Sequence, residues 1–447
     1  MEPTTIGLIG FIAAMLLLVI RVPIGFALMS VASACVLLVF SWRPGSELNL
    51  AYGIRPAVSL IENSVFGFVH SYSLSMIPMF IAAGHLAYHA RITTDIYDSA
   101  RIWMARLPGG LAMASIVGCG GFAAVSGSSL ACASAMGRIC VPEMQRYGYS
   151  RELSTSSVAV GGTLGSLIPP SVLFIVYGIF TESSVSQLFL AGVLPGILSL
   201  FGYLLTVWIW AKLKPDAAPI LTQNYPLREK LAAGLKVWPA MVLVVIIIGG
   251  IYGGVFTATE AAAICLTFIL AFGLLSGRIN FSQLKDSLRE TAISTASLFF
   301  ISAGAKVFVS FVSLTGVTAA LVAFVNDAEL SNWMILFSIV LIYLVMGMFL
   351  DPIGTMLLTL PFVIPLIEGM GYELIWFGVV IVKLLEIGLV TPPLGLNVFV
   401  VSSVVRPEVP VHVVFFGVMK FLVIDLMVLA VIVLFPVVSL LLPSLIG

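Results

Sequence analysis

Apolar runs long enough, or nearly long enough, to cross a bilayer recur from one end of the chain to the other. A transmembrane helix needs about 20 mostly apolar residues. Six such runs are Ile6–Ile20, Val22–Phe40, Ala240–Tyr252, Ala261–Leu275, Met334–Leu350 and Val413–Leu442. Only 9% of the 447 residues are charged, against about a quarter in soluble proteins. We therefore predict an all-α polytopic membrane protein with roughly ten to twelve membrane segments. A β-barrel is excluded because its strands alternate in polarity.

Charge and cysteine content exclude several classes of partner. The 21 basic residues balance the 21 acidic ones, so nothing indicates nucleic acid as a partner. The five cysteines lack CxxC spacing and are predicted to be small buried side chains rather than disulfides or metal ligands. The first apolar run has no basic lead-in and no cleavage site, which predicts a retained helix.

The stretch 212–236 divides the chain into two halves. It contains five Lys and Arg residues and three prolines, and basic residues mark cytoplasmic loops. We therefore predict a cytoplasmic loop over 212–236, between a first half at 1–211 and a second half at 237–447.

Several Gly, Pro and Tyr residues of the first half recur in the second half at an offset of 223 residues, as from Pro142 to Pro365. The other matched pairs are Gly148-Tyr149 with Gly371-Tyr372, Gly165 with Gly388, and Pro169-Pro170 with Pro392-Pro393. The charged residues near these matched residues differ. The turn after Pro142 carries Arg146 and Arg151, whereas the turn after Pro365 carries Glu368 and Glu373. The same unit is therefore predicted to face opposite sides of the membrane, as in the inverted repeats of secondary transporters.

Four interruptions break otherwise spanning segments. We predict a first hairpin at about 111–146 with its tip at 126–129, and a second at about 336–370 with its tip at 350–355. Two broken helices are predicted at about 152–180 and 373–403, with breaks at 161–170 and 388–395. Proline lacks an N–H and frees helix carbonyls, which persist in a membrane only where protein, water or an ion satisfies them. Such breaks suit a hard cation such as sodium, and broken-helix N-termini favour an anion.

Several polar residues at or near the breaks have two possible roles each. The hydroxyls of Ser128, Ser129, Thr355 and Thr391 are candidate cation ligands, although such side chains also satisfy helix carbonyls. Asp351 is either an ion ligand or the cap of the second hairpin arm, since proline follows it.

Three more polar residues lie within apolar segments. Lys383 and Glu386 are three residues apart, and an ion pair that fixes the helix is favoured over contact with substrate. Lys306 either offers its charge to a carboxylate or extends to the membrane surface.

The order of several motifs resembles the large permease subunit of the tripartite ATP-independent periplasmic (TRAP) transporters. The motifs are Pro108–Ala112, Phe122–Ser129, Gly165–Ser171, Leu190–Gly196, Gly253–Ala262 and Thr391–Gly395. The resemblance implies an elevator-type inverted-repeat transporter with two re-entrant hairpins and two broken helices. It also implies a small membrane subunit and a periplasmic binding protein as partners, in a bacterial inner membrane.

Sodium coupling is implied as well, with no other cofactor. By resemblance, a first sodium site maps onto Ser126, Gly127, Ser128, Ser129, Gly162, Gly165, Ser166 and Pro169. A second maps onto Asp351, Gly354, Thr355, Gly388, Thr391, Pro392 and Pro393. Candidate substrate contacts are Ser128, Thr355, Lys306 and Asn397. The expected substrate bears a carboxylate: a C4-dicarboxylate, sialic acid, or another sugar or keto acid.

Other classes fit the sequence less well. A stand-alone sodium–dicarboxylate symporter shares broken helices and inverted repeats, but the motif order that begins at Pro108 argues against it. An intramembrane enzyme is disfavoured because Ala124 stands where a rhomboid-like serine protease needs glycine, and Asp351 lacks a paired aspartate. A channel is disfavoured because paired breaks suit alternating access.

Overall fold

The computed structural model describes residues 2–42, 47–220, 223–406 and 408–445, and within these ranges it contains helices and no strand. Seven described helices are long and apolar enough to span a membrane, or up to nine if each of two bent pairs is one span. This confirms the all-α polytopic membrane fold. The count is below the predicted ten to twelve because apolar helices such as Pro3–Val19 and Gly110–Ser126 have fewer than 18 residues.

Ten α-helices precede the midpoint of the chain. They are Pro3–Val19, Ile24–Ser41, Leu50–Val69, Met76–His89, Ile92–Met104, Gly110–Ser126, Ser129–Arg146, Arg151–Leu167, Val172–Thr181 and Val185–Leu213. After the midpoint follow Leu227–Lys236, Trp238–Val244, Gly250–Tyr252, Ala258–Leu275, Phe281–Thr315, Val317–Asp327, Asn332–Phe349, Pro352–Gly369, Leu374–Val390, Leu396–Val404, Val411–Leu434 and Val437–Ser444. Short 3₁₀ turns lie at Tyr72–Ser75 and Pro215–Ala217, and a π-helical turn lies at Val245–Gly249.

Two hairpins and two broken helices occupy matching places in the two halves. Hairpin 1 comprises Gly110–Ser126 and Ser129–Arg146, and broken helix 1 comprises Arg151–Leu167 and Val172–Thr181. Hairpin 2 comprises Asn332–Phe349 and Pro352–Gly369, and broken helix 2 comprises Leu374–Val390 and Leu396–Val404. The second hairpin arms and the first segments of the broken helices recur at both ends with the 223-residue offset seen in the sequence.

The turn between each hairpin and its broken helix has the same backbone conformation in both halves. Gly148 and Gly371 have φ values of 83° and 76°, a left-handed region that glycine enters without a Cβ penalty. The second arm of hairpin 1 packs against the second segment of broken helix 2, and hairpin 2 packs reciprocally against broken helix 1. The two halves therefore interlock.

The predicted breaks at 161–170 and 388–395 are too long. Broken helix 1 stays helical through Leu167, and broken helix 2 stays helical through Val390. The glycines at the start of each predicted break serve close packing instead of unwinding. A Cβ on Gly165 would lie 2.9 Å from the Ser128 carbonyl oxygen, and one on Gly388 would lie 2.7 Å from the Gly347 carbonyl oxygen.

Replacing Gly388 by alanine should lower the free energy of unfolding by about 1 to 3 kcal/mol, the usual cost of overpacking. The new methyl group would meet backbone, which cannot rotate away. Gly369→Ala is the control because no atom lies within 4 Å of its Cβ position. Thermal unfolding in detergent compares the two variants, and equal midpoints would contradict the close-packing role.

The predicted loop at 212–236 is also partly wrong, since it contains the helix Leu227–Lys236. The prolines at 215, 219 and 226 all precede this helix, and Pro226 occupies its N-cap position. Leucines at 227, 231 and 235 then follow a helical period. Residues 221 and 222 of the predicted loop lie outside the described residues.

Candidate functional site

The tip of hairpin 1 is a tight turn made by glycine and serine. Gly127 ends the first arm with φ 63°, and the Ser128 side chain caps the second arm by accepting from the Ala131 N–H. A Cβ on Gly127 would lie 2.7 Å from the Pro170 carbonyl oxygen. Glycine is therefore required both by the backbone angle and by the approach to broken helix 1.

This tip lies directly against the break in broken helix 1, as the first predicted site requires. The Ser129 hydroxyl lies 2.5 Å from that of Ser166. The Val172 N–H donates to the Gly127 carbonyl at 3.2 Å. Ser126 Oγ is buried and has no hydrogen-bond partner within the described ranges. The predicted residues Ser126–Ser129, Gly165, Ser166 and Pro169 therefore share one neighbourhood.

Gly162 belongs to the edge of this neighbourhood. It lies one helical turn before Ser166, and its Cβ position is 2.9 Å from the Ala133 side chain. It therefore contributes close helix packing and offers no side-chain oxygen.

The tip of hairpin 2 is built around Asp351. One carboxylate oxygen accepts from the Gly354 N–H at 3.1 Å, and the other is buried without a hydrogen-bond partner. The Thr355 hydroxyl donates to the Asp351 main-chain carbonyl at 2.9 Å. The predicted cap is present, and it leaves one carboxylate oxygen available for an ion.

The residues of the second predicted sodium site lie less close together than those of the first. Thr391 Oγ1 donates to the Ile387 carbonyl at 2.5 Å, and Gly388 packs on the first arm of hairpin 2. Pro392 and Pro393 lie within the break that follows. In the described ranges, no hydrogen bond joins Asp351, Gly354 or Thr355 to this break.

A cavity of about 520 Å³ lies between the two hairpin tips. Hairpin 1 lines it with Ser126, Ser128, Ser134 and Arg138, hairpin 2 with Asp351 and Ile353, and neighbouring helices with His85, Tyr88 and Glu290. His85 Nδ1 lies 2.9 Å from Glu290 Oε2. Among the described side chains, no carboxylate pairs with Arg138, so its charge is available to a ligand.

The cavity extends toward the basic end of the molecule. It runs from the tips to Tyr88 and Arg138. Two residues beyond Tyr88, the Ala90 carbonyl accepts from Arg278 at 3.1 Å, and the helix that carries Arg138 ends at Arg146. Because Lys and Arg are enriched in cytoplasmic loops, we interpret this end of the cavity as the cytoplasmic one.

Of the predicted substrate contacts, Ser128 alone lines this cavity. Thr355 is buried within hairpin 2. Lys306 lies with its ammonium 5.9 Å from the centre of the Phe180 ring, outside the cavity lining. Asn397 is buried and donates to the Ala159 carbonyl at 3.1 Å.

A buried charge cluster lies beside the broken helices. Lys383 Nζ lies 2.6 Å from Asp425 Oδ1 and 3.4 Å from Glu386 Oε2. The Tyr203 hydroxyl also donates to Asp425 Oδ1, at 2.5 Å, and the Ser199 hydroxyl accepts from Lys383 at 3.1 Å. The predicted pair of Lys383 and Glu386 is present, but the closer carboxylate is Asp425.

Sequence reasoning missed Asp425, Tyr203 and Arg138. A lone carboxylate within the run 413–442 was a usable signal, since an intramembrane charge needs a partner. Nothing in the sequence distinguished Arg138 from the basic residues that mark loops.

Comparisons with known proteins agree with this architecture. The family model described as "Tripartite ATP-independent periplasmic transporter, DctM component" matches residues 11–438. A C4-dicarboxylate TRAP transporter large permease protein of Pseudomonas aeruginosa is 35% identical over 420 residues, which cover 94% of each chain. A sialic acid TRAP transporter large permease protein of Vibrio cholerae is 30% identical over 430 residues, 96% of each chain.

One solved structure resembles the whole chain. The crystal structure of the YdaH transporter of Alcanivorax borkumensis matches with a TM-score of 0.61 and 14% identity, over 100% of this chain and 98% of that one. At this identity the likeness shows a shared fold.

Proposed function

Because this chain belongs to the DctM-component family of tripartite ATP-independent periplasmic transporters, we propose that it imports a carboxylate-bearing organic acid by sodium-coupled, elevator-type alternating access. As a member of this family it is a multi-pass transport protein of the bacterial inner membrane, and not an enzyme. The family implies partnership with a small membrane subunit and a periplasmic binding protein; we propose that this chain receives its substrate from such a binding protein.

The cavity between the two hairpin tips is the observation that carries this proposal. It combines the Arg138 guanidinium, which pairs with no carboxylate in the described part of the chain, with serine hydroxyls at the tip of hairpin 1. A guanidinium binds a carboxylate with two parallel hydrogen bonds, and the hydroxyls supply further donors. Of the carboxylates in the cavity wall, Glu290 pairs with His85 and Asp351 is the proposed sodium ligand, so Arg138 is the group that favours an organic acid.

The names of similar proteins indicate a class of substrate. The similar chains from Pseudomonas aeruginosa and Vibrio cholerae are named for C4-dicarboxylates and for sialic acid. Both are carboxylates, which agrees with an arginine in the cavity. We propose the same chemical class here, without choosing one acid.

Two buried oxygen atoms support sodium as the coupling ion. Ser126 Oγ and one Asp351 carboxylate oxygen have no hydrogen-bond partner among the described residues, and each lies at a hairpin tip beside the cavity. Buried polar atoms are nearly always paired with protein, water or an ion. Hydroxyl, carboxylate and carbonyl oxygens near broken helices suit sodium.

The interlocked halves support alternating access. Each hairpin packs against the broken helix of the other half, so the hairpins and broken helices are able to move as one body. In this proposal the body carries the cavity from the periplasmic side to the cytoplasmic side.

Uptake into proteoliposomes tests the proposal. The chain is reconstituted with its small membrane subunit, and the binding protein is added outside with a radiolabelled organic acid. An inward sodium gradient should raise the initial uptake rate by about tenfold or more. A tenfold effect corresponds to a coupling free energy within the usual range between two ligand sites. Equal uptake when potassium replaces sodium would overturn the coupling, and full uptake without the binding protein would favour a stand-alone symporter.

A further inference from the structure

The helix Leu227–Lys236 presents an apolar stripe away from the protein. Leu227, Leu231 and Leu235 recur every four residues and therefore share one face. Their side chains are 67%, 54% and 74% exposed. Ala233, on the opposite face, is buried. A bend of 50° joins the helix to the apolar segment Trp238–Tyr252, so its stripe lies near the bilayer.

Basic side chains flank this stripe on both sides. Arg228 is exposed at one edge of the stripe, and Lys236 is exposed farther round the same side of the helix. Lys230 lies at the other edge, with its ammonium 5.8 Å from the centre of the Trp103 ring. Glu229 is the one acidic residue of the helix. An apolar face bordered by Lys and Arg is typical of helices that lie in the membrane–water interface.

Three tryptophans mark the level of that interface. Trp103, Trp208 and Trp238 are between 37% and 50% exposed, and tryptophan is enriched where acyl chains meet headgroups. Trp103 Nε1 donates to the Lys230 carbonyl at 3.1 Å. The Lys212 ammonium lies 3.9 Å from the Trp208 ring centre. The helix therefore lies at headgroup depth.

We propose that this helix binds anionic phospholipids of the cytoplasmic leaflet. Their acyl chains cover the three leucines, and their phosphates pair with Arg228 and Lys236. Cytoplasmic leaflets present negative headgroups that attract such basic segments. Neither sodium nor a transported acid takes part, so this inference does not depend on the proposed function.

The lipid site is connected to hairpin 1 through one further helix. The helix Leu227–Lys236 packs against Ile92–Met104, and Arg101 of that second helix pairs with Glu143 of hairpin 1 at 2.5 Å. Bound lipid therefore steadies the base of the hairpin whose tip lines the cavity.

A lipid titration tests the site. The full-length transporter is placed in phosphatidylcholine nanodiscs with increasing phosphatidylglycerol, and its thermal midpoint is followed. Wild type should be stabilised as phosphatidylglycerol rises. The double variant Arg228→Gln with Lys236→Gln should need roughly 20-fold more phosphatidylglycerol for the same effect, since each surface charge contributes about fivefold.

The control is the double variant Lys285→Gln with Arg146→Gln, which removes the same charge from exposed positions elsewhere and should respond as wild type does. Loss of the response in both double variants would show a general charge effect and overturn the site. An unchanged response in Arg228→Gln with Lys236→Gln would overturn it too. Equal stabilisation by soluble glycerol phosphate would show that the ligand is a free phosphate and not a membrane lipid.

Discussion

Replacing Lys383 by methionine should lower the free energy of unfolding by about 3 to 5 kcal/mol, the usual cost of removing one partner from a buried ion pair. The substitution leaves Asp425 and Glu386 as buried carboxylates. Each of them already has one oxygen without a hydrogen-bond partner. Without the ammonium, neither charge has a counter-ion among the described residues.

A second substitution at Asp425 should restore part of this loss. The double variant Lys383→Met with Asp425→Asn removes one of the two stranded charges, so it should be more stable than Lys383→Met alone. Chemical or thermal unfolding of the four proteins in a double-mutant cycle measures the coupling, which for contacting charges is about 1 to 3 kcal/mol. Purely additive losses would contradict the observed ion pair.

Replacing Arg138 by alanine should reduce the kcat/KM of uptake by about tenfold or more. Loss of hydrogen bonds to a charged group costs about 1.5 to 3 kcal/mol, and Arg138 is exposed to the cavity with no described carboxylate engaging its guanidinium. Arg138→Lys should recover part of the rate, because it keeps the charge but not the bidentate geometry.

Arg146→Ala is the matched control for Arg138. It lies on the same arm of hairpin 1, two helical turns further on, and does not line the cavity. Uptake by this variant should stay within about twofold of wild type, because an exposed charge outside the cavity lining does not contact the substrate. Equal losses in the two alanine variants would indicate a general effect on hairpin 1 and not contact with substrate.

The repeat explains why much of the fold was predictable from the sequence. Glycine and proline restrict the backbone directly, so the matched residues located both hairpins and both broken helices. The same logic offered the cap of the hairpin arm as one of two roles for Asp351, since an aspartate before proline suits a helix start.

Sequence patterns could not predict the packing between residues that are far apart in the chain. Lys383 and Asp425 are 42 residues apart, and Lys383 and Tyr203 are 180 apart, so only the fold brings them together. Glycine has two structural roles, and the sequence alone does not show which of them applies at a given position. At Gly127 it permits a positive φ, whereas at Gly388 it permits close packing inside a continuous helix.

The most direct test of alternating access measures from which side of the membrane the cavity can be reached. Cysteine at Ser134, a residue of the cavity wall, is exposed to a membrane-impermeant maleimide applied from either side of oriented vesicles. All five native cysteines are buried, which keeps background labelling low. Ser276→Cys, at an exposed turn beside Arg278 on the basic side, should be labelled from the cytoplasmic side under every condition.

Alternating access predicts that Ser134→Cys is labelled from the cytoplasmic side in the conformation described here. Sodium outside the vesicles, together with loaded binding protein and the small subunit, should make it reachable from the periplasmic side as well. Labelling from one side alone, whatever the sodium and substrate conditions, would contradict a cavity that is carried across the membrane.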